Sequence, residues 1–238
     1  MNLFPDITAR DLRQEMMDDP ALDEAEHARA LRGLRFLNRV SGTAAALWRS
    51  IRPLAAAPGH GAVRVLDIAT GSGDIPLMLA RMAHRDGLSL SIEACDASER
   101  AVRIAELNAS KAGETVRFFR LDAVQDRIPG EYDVVMCSLF LHHLEAEHVV
   151  EVLYKMRSAA RRLLLVSDLN RTRAGYLLAW AATRLFTRSP VVRTDALLSV
   201  RAAFEIEEME LLAEEAGLRG AKIRPSWPCR FQLEWTRE

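Results

Sequence analysis

Short apolar runs alternate with amphipathic segments along the chain from about residue 63 onward. Seven of the runs predict strands, at residues 63–69, 88–95, 116–121, 132–138, 163–167, 221–224 and 231–234. Segments with apolar residues every three or four positions predict helices between them, at residues 75–83, 99–112, 145–160 and 204–216. Such alternation is typical of an α/β fold, with a mostly parallel sheet covered by helices on both faces. The last two strands predict a closing antiparallel pair.

Two further segments predict helices that lie outside this alternation. In residues 1–60, helical spacing is found at 25–37 and 42–54. We interpret this part as an N-terminal helical cap over the carboxyl edge of the sheet, on a domain formed by residues 61–238. Residues 170–203 are too many for a bare loop in a compact domain. They predict a helical insertion over the carboxyl edge of the sheet. Its apolar side chains could pack on the sheet or enclose a substrate: Tyr176, Leu177, Trp180, Leu185 and Phe186.

A glycine-rich loop follows the first predicted strand and precedes a helix. It runs from Asp67 to Asp74 with the sequence DIATGSGD, which differs from the G-x-G-x-x-G pattern of dinucleotide-binding loops. Two carboxylates would repel a pyrophosphate but suit an ammonium group, so the ligand is expected to join an amino acid to a nucleoside. Asp96 ends the second strand, where an acidic side chain commonly accepts hydrogen bonds from ribose hydroxyls.

With this loop and these strand ends, residues 63–238 resemble the class I methyltransferases that use S-adenosylmethionine (SAM). The first motif of that family, D-x-G-x-G-x-G, is present from Asp67 to Gly73 with Ala69 in place of the first glycine. The resemblance implies a Rossmann-like sheet of seven strands in the order 3-2-1-4-5-7-6, the seventh antiparallel. It also implies SAM as the cofactor.

The resemblance further implies which residues contact SAM. The loop and Asp67 would hold the methionine part, Asp96 and Ala97 the ribose, and Asp122 and Ala123 the adenine. Ser138 and Leu139 would line the methionine side. The loop residues concerned are Ala69, Thr70, Gly71, Gly73 and Asp74. Taken singly, Asp67 or Asp122 could instead be a helix cap or a turn residue.

Three residues at the ends of the fourth and fifth strands are candidates for catalysis. His142 and His143 follow the fourth strand and could remove the proton of a hydroxyl acceptor, and Asp168 could orient a histidine or accept the proton itself. Adjacent residues point in different directions, so one histidine is expected to face the cleft. In the alternative interpretation, His143 packs at the start of the next helix and Asp168 binds its own backbone.

Metal dependence is not predicted. Asp168, Asn170 and a histidine could suggest a divalent-metal site of the catechol-methyltransferase kind. In enzymes of that kind an aspartate ends the fourth strand, whereas this chain has Ser138 at that position. Cys229 is interpreted as a strand residue.

Composition narrows the classes of function. The 32 basic and 33 acidic residues give a formal charge of −1, which disfavours nucleic-acid binding. The longest uncharged run, residues 174–183, is shorter than the roughly 18–20 residues that span a bilayer, and the N-terminus lacks the apolar stretch of a secretion signal. Three widely spaced cysteines form neither a disulfide framework nor a zinc pattern. A cytoplasmic protein without a transmembrane segment is expected.

The pair of histidines after the fourth strand and the acid after the fifth resemble the arrangement in small-molecule O-methyltransferases of this family. The resemblance predicts a SAM-dependent methyltransferase of secondary metabolism that O-methylates a small, apolar phenolic, quinol or polyketide-like acceptor. The expected partner is therefore a small molecule, aromatic or lipid-like, and a homodimer is left open. C-methylation of a quinone-like ring is an alternative that the same site would support. A non-catalytic, regulatory SAM-binding protein is a second alternative, which the pair of histidines with Asp168 argues against.

Overall fold

The sheet has seven strands. A computed structural model describes residues 7–16, 42–58, 61–187 and 189–237. The strands are β1 (Val63–Ile68), β2 (Leu90–Asp96), β3 (Arg117–Arg120), β4 (Tyr132–Ser138), β5 (Ala160–Leu169), β6 (Lys222–Ser226) and β7 (Arg230–Thr236). Their order is β3-β2-β1-β4-β5-β7-β6. β1 to β5 pair in parallel, whereas β7 is antiparallel to β5 and β6. The predicted Rossmann-like α/β fold and strand order are confirmed.

Seven helices are found in the described ranges, together with a short 3-10 turn at Leu141–His143. They are α1 (Thr43–Ala55), α2 (Asp74–Arg85), α3 (Glu99–Ala112), α4 (Ala146–Ala159), α5 (Arg173–Phe186), α6 (Pro190–Ala202) and α7 (Ile206–Glu215). The helix predicted at residues 25–37 lies outside the described residues. None of the helices in those ranges has the length and apolarity needed to cross a membrane.

Apolar side chains of the helices cover both faces of the sheet. Buried residues of α4 and α7 form one core with β1, β4, β5 and β7, and those of α1 and α2 form another with the opposite face. Leu47, Trp48 and Ile51 of α1 are buried in this second core. Because these side chains pack against a face of the sheet, α1 belongs to the layer of helices that covers this face. The expectation that it caps the carboxyl edge is therefore wrong.

The long segment after β5 forms α5 and α6, which pack on each other. Thr172 caps α5 by accepting a hydrogen bond from the backbone of Gly175 at 3.0 Å. The apolar set predicted on α5 does not pack as a group. Leu177, Trp180 and Leu185 are exposed by 43%, 46% and 77%. These three side chains therefore face away from the sheet, because the buried face of the helix carries smaller residues.

Two arginines attach the N-terminal segment, residues 7–16, to the carboxyl edge of the sheet. Arg10 donates hydrogen bonds to the carbonyls of His142 at 3.1 Å and Leu144 at 2.6 Å. Arg171, which is buried, donates to the carbonyl of Ile7 at 3.1 Å. It is also paired with Glu208 of α7 at 2.8 Å. The segment is thus held against the turn that follows β4.

Gly73 and Gly71 provide a matched test of packing at the start of α2. Both have positive φ, but a Cβ on Gly73 would lie 3.0 Å from Ala105 and Phe118, whereas one on Gly71 would meet nothing within 4 Å. We expect Gly73→Ala to lower the free energy of unfolding by about 2–4 kcal/mol, and Gly71→Ala by about 1–2 kcal/mol, because only the first adds overpacking to backbone strain. Urea denaturation without SAM measures both, and equal losses would contradict the packing argument.

Candidate active site

A cavity of about 510 Å³ opens at the carboxyl end of the sheet. Its walls come from the loop after β1, the turn after β4, one face of α5, part of α6 and the turn between β6 and β7. Of the predicted site residues, eight border it: Ala69, Thr70, Gly71, Asp74, Ser138, Leu139, His142 and His143. Seven others are not among the residues that border it: Asp67, Gly73, Asp96, Ala97, Asp122, Ala123 and Asp168.

The glycine-rich loop has the left-handed backbone that its sequence predicts. Ala69, Gly71 and Gly73 have φ of 54°, 57° and 77°. Glycine takes such angles freely, but alanine does so at a cost of about 1–2 kcal/mol. Asp74, at the end of the loop, accepts a hydrogen bond from the hydroxyl of Ser72 at 2.8 Å. Strain at Ala69 is therefore retained where the chain borders the cavity, as is common at ligand-binding sites.

Asp67 lies beneath this loop and is almost completely buried. Its Oδ2 accepts a hydrogen bond from the hydroxyl of Thr70 at 2.6 Å, whereas its Oδ1 has no partner within the described part of the chain. Burial raises the pKa of Asp67 to about 7; the hydrogen bond from Thr70 opposes the shift and the charge of Asp96 adds to it. An unpaired buried carboxylate oxygen is costly, and a nearby cation would offset that cost. The environment therefore fits a ligand that carries an ammonium group.

Asp96 links the end of β2 to the same loop. Its Oδ2 accepts from the backbone N–H of Gly71 at 2.8 Å, and its Oδ1 from that of Ser98 at 3.0 Å. A carboxylate oxygen can accept two hydrogen bonds, so each oxygen can also accept one from a ribose hydroxyl. Ala97, the next residue, is exposed. The arrangement is compatible with the predicted ribose contacts.

Asp122 and Ala123 lie outside the cavity wall. Asp122 Oδ1 accepts from the backbone N–H groups of Val124 at 2.9 Å and Gln125 at 3.3 Å, which is the bonding of a turn-forming aspartate. Ala123 is buried, and its carbonyl accepts from Lys155 at 3.3 Å. The turn role allowed for Asp122 is therefore present, and its contact with adenine stays a prediction.

Asp168 organises the turn that follows β4. Its Oδ2 accepts from the backbone N–H groups of Phe140 at 3.1 Å, Leu141 at 2.8 Å and His142 at 3.4 Å. Its Oδ1 accepts from its neighbour Leu169 at 2.7 Å. Leu139, at the start of the turn, has φ of 52°. One buried carboxylate thus holds the backbone that carries both histidines.

Asp168 also binds the ring of His142. Its Oδ1 lies 2.6 Å from Nδ1 of the histidine, and both side chains are buried. Burial lowers the pKa of His142, but the charge and hydrogen bond of Asp168 outweigh it and leave the pKa raised. Conversely, burial raises the pKa of Asp168, and the charge and hydrogen bond of His142 bring it below its usual value. The pair is an orienting carboxylate with a histidine, arranged as in catalytic triads.

His143 also borders the cavity, so the expectation that one histidine faces it is wrong. The two rings lie 4.1 Å apart between centroids. Partial burial, followed by the charge of His142, lowers the pKa of His143. Glu15 of the N-terminal segment lies 3.9 Å from Nδ1 of His143 and accepts from the hydroxyl of Ser199. The shift favours the neutral form of His143.

Glu15, His142 and His143 have ligand atoms that all lie within 4.8 Å of one another. Such a set could hold a divalent ion. However, Nδ1 of His142 is engaged by Asp168, so that histidine has only Nε2 to offer. Glu15 was not a sequence candidate, because no sequence pattern connects a residue so near the N-terminus with the turn after β4.

Sequence reasoning also missed the contribution of the turn between β6 and β7. Cys229 and Arg230 border the cavity, and Cys229 has φ of 46°. Cys229 therefore lies in the turn, and its interpretation as a strand residue is wrong. On α5, Phe186 of the predicted apolar set borders the cavity, together with Gly175, Leu178, Ala179 and Ala182, which were not predicted. Successive side chains of a strand point to opposite faces, so the sequence could have predicted that Arg230 and Phe231 point in opposite directions. It could not show which residues surround Arg230.

Known proteins resemble this chain in sequence. Residues 65–162 match a family model described as a methyltransferase domain. A ubiquinone biosynthesis O-methyltransferase from Burkholderia vietnamiensis is 32% identical over 119 residues, which cover 49% of this chain and 48% of that protein. One of the same name from Paraburkholderia phytofirmans is 30% identical over 163 residues, which cover 67% and 66%. The chain thus spans about half the length of the first relatives it matches.

Solved structures share the fold. Magnesium protoporphyrin IX methyltransferase from Synechocystis PCC 6803, with bound S-adenosylhomocysteine (SAH), aligns with a TM-score of 0.60 at 19% identity. The alignment covers 92% of this chain and 90% of that one. The family model, the relatives and the fold therefore agree, and the chain belongs to the class I methyltransferases that use S-adenosylmethionine.

Proposed function

We propose that the protein transfers a methyl group from SAM to a hydroxyl oxygen of a small phenolic or quinol-like acceptor. The observation that carries the proposal is the buried Asp168–His142 pair in the wall of a mainly apolar cavity that also borders the SAM loop. The relatives named above are O-methyltransferases of ubiquinone biosynthesis, which supports an acceptor of quinol type. C-methylation of a quinone-like ring and binding of SAM without catalysis are the alternatives that the experiments below distinguish.

Bound SAM supplies an activated methyl group on a sulfonium. The loop after β1 would hold its methionine part, with the carboxyl group of Asp67 beneath, and Asp96 would accept hydrogen bonds from its ribose. The chain then has to bring the acceptor oxygen into line and remove its proton. With Nδ1 of His142 bound to Asp168, Nε2 is the nitrogen available to take that proton. Asp168 orients the ring and stabilises the imidazolium that forms.

Three finer proposals accompany this function. The helices α5 and α6, within residues 170–203, would cover the acceptor site, since α5 already lines the cavity. A cytoplasmic location is supported by three free cysteines, two of them buried.

A homodimer is supported by the exposed Leu177, Trp180 and Leu185 on the outer face of α5, which a second copy could cover. Light scattering at several concentrations tests the dimer.

The acceptor class is tested by incubating the protein with labelled SAM and a panel of phenols, quinols and amines. We expect methyl transfer to hydroxyl groups, and NMR of the product separates an O-methyl from a C-methyl signal. Turnover should persist after treatment with a chelator, since no metal ligand set was predicted. Loss of activity that is restored by a divalent ion would instead assign Glu15, His142 and His143 to a metal. Binding of SAM with no turnover on any acceptor would favour the regulatory alternative.

The role of the base is tested with His142→Asn and the matched variant His143→Asn. We expect the first to lower kcat by about 100- to 10,000-fold, the range for loss of a general base, with SAM affinity close to that of the wild type. The second should have a smaller effect, because His143 has no orienting carboxylate comparable to Asp168. Steady-state kinetics with calorimetry of SAM binding measures both. Near-normal kcat in both variants would mean that positioning alone drives the reaction.

The pH dependence follows from the raised pKa of His142. The base must be neutral, so kcat/KM should rise with pH and reach its plateau above the ordinary histidine pKa of about 6.5. Asp168→Asn removes the negative charge that raises the pKa of His142. Burial and the charge of Arg230, which both lower this pKa, remain. The acid limb should therefore move to lower pH, with a lower plateau. Rates measured between about pH 5 and 9 check this, and an unmoved limb would assign the ionisation to another group.

Cofactor binding is tested at Asp96. We expect Asp96→Ala to weaken SAM binding by about 1.5–3 kcal/mol, because it removes acceptors for the ribose hydroxyls and for the N–H of Gly71. Glu99→Ala is the matched control, since Glu99 is an exposed carboxylate of the next helix that forms an ion pair with Arg103. Calorimetry measures both variants, with NAD as a ligand that should not bind. Equal affinity of Asp96→Ala and wild type would remove Asp96 from the site.

A further inference from the structure

Arg230 places a positive charge in the wall of the cavity. It is the first residue of β7, only 7% of it is exposed, and it borders the cavity beside Leu169, its partner on β5. The surrounding cavity surface is mainly apolar, with Leu178, Ala179 and Ala182 contributed by α5. Burial lowers the pKa of Arg230 to about 10, so the side chain remains a cation at neutral pH.

The buried guanidinium is incompletely satisfied. It can donate five hydrogen bonds, and within the described ranges it donates one, from Nη1 to the hydroxyl of Thr43. In those ranges no carboxylate lies within ion-pair distance of it. The charge of Asp168 acts on it, but that carboxylate is bonded to His142 and to four backbone N–H groups. A buried charge without an ion-pair partner is costly unless a ligand supplies one.

The position of Arg230 in the sheet assigns it to the part of the cavity that would hold the methyl acceptor, away from the loop after β1. β7 is three strands from β1, whose loop is proposed to hold SAM, and strands lie about 4.8 Å apart, so these strand ends are about 14 Å from each other. Arg230 begins the strand next to β5, which carries Asp168. Glu15, another charged residue that borders the cavity, lies beside the two histidines and is bonded to Ser199. The guanidinium and the proposed base thus flank the same end of the cavity.

We propose that Arg230 binds a carboxylate carried by the acceptor, so that the substrate is an apolar phenol or quinol with an acidic group. A guanidinium can donate two parallel hydrogen bonds to a carboxylate, which fixes the orientation of the ring as well as its position. The hydroxyl to be methylated would then be directed to His142. This inference rests on the proposed function, because it assumes that the cavity holds a hydroxyl acceptor.

Equilibrium binding in the presence of SAH tests the inference without requiring turnover. The probes are protocatechuate and caffeate, each beside its methyl ester, which differs only in lacking the negative charge. We expect the wild type to bind the acids more tightly than the esters. Arg230→Met should weaken binding of the acids by about 10- to 100-fold, the effect of losing hydrogen bonds to a charged group, and leave the esters unchanged. Arg230→Lys should restore part of the preference.

Arg224→Met, which removes an exposed arginine from the neighbouring β6, is the control and should bind all four probes as the wild type does. Thermal unfolding shows whether Arg230→Met folds, which we expect since an apolar side chain of similar length replaces a buried cation. Equal losses for acids and esters, or weaker binding of SAH itself by Arg230→Met, would overturn the inference. So would a wild type that prefers the esters. A preference for acids without any turnover would retain Arg230 as a carboxylate site and reject the proposed methyl transfer.

Discussion

The candidate site depends on one buried carboxylate, that of Asp168. At the end of β5 it accepts hydrogen bonds from the backbone of the turn after β4, and with the same group it binds Nδ1 of His142. A buried charge needs such compensation, and here the N–H groups and the imidazole supply it. Because these bonds join neighbouring parallel strands, the positions of the base and of the turn are set together. The histidine is therefore oriented by the fold before any ligand binds.

Backbone strain is concentrated around the cavity. Ala69, Leu139 and Cys229 are the non-glycine residues with positive φ in the described part of the chain, and all three border it. They follow β1, follow β4 and precede β7, so they lie where strands end and the chain turns sharply. The surrounding bonds have to offset about 1–2 kcal/mol for each such residue.

The N-terminal segment is part of the site because two arginines attach it. Arg171 is buried beneath the segment and binds its carbonyls, and Arg10 reaches from it to the carbonyls of the turn after β4. Glu15 is thereby brought beside His142 and His143. A residue from one end of the chain and Arg230 from the other then border the same cavity, with opposite charges near the proposed base.

The sequence by itself determined the strands and helices of the sheet and the position of the glycine-rich loop after β1, because apolar periodicity and glycine placement are local properties of the chain. The strand order followed from the resemblance to class I methyltransferases. It also identified His142, His143 and Asp168 as candidates. The tertiary structure decided that Asp168 orients His142 and that α1 covers a face of the sheet. It also brought Glu15 and Arg230 into the cavity. These depend on contacts between residues far apart in the chain, and a single sequence carries no pattern that records such distances.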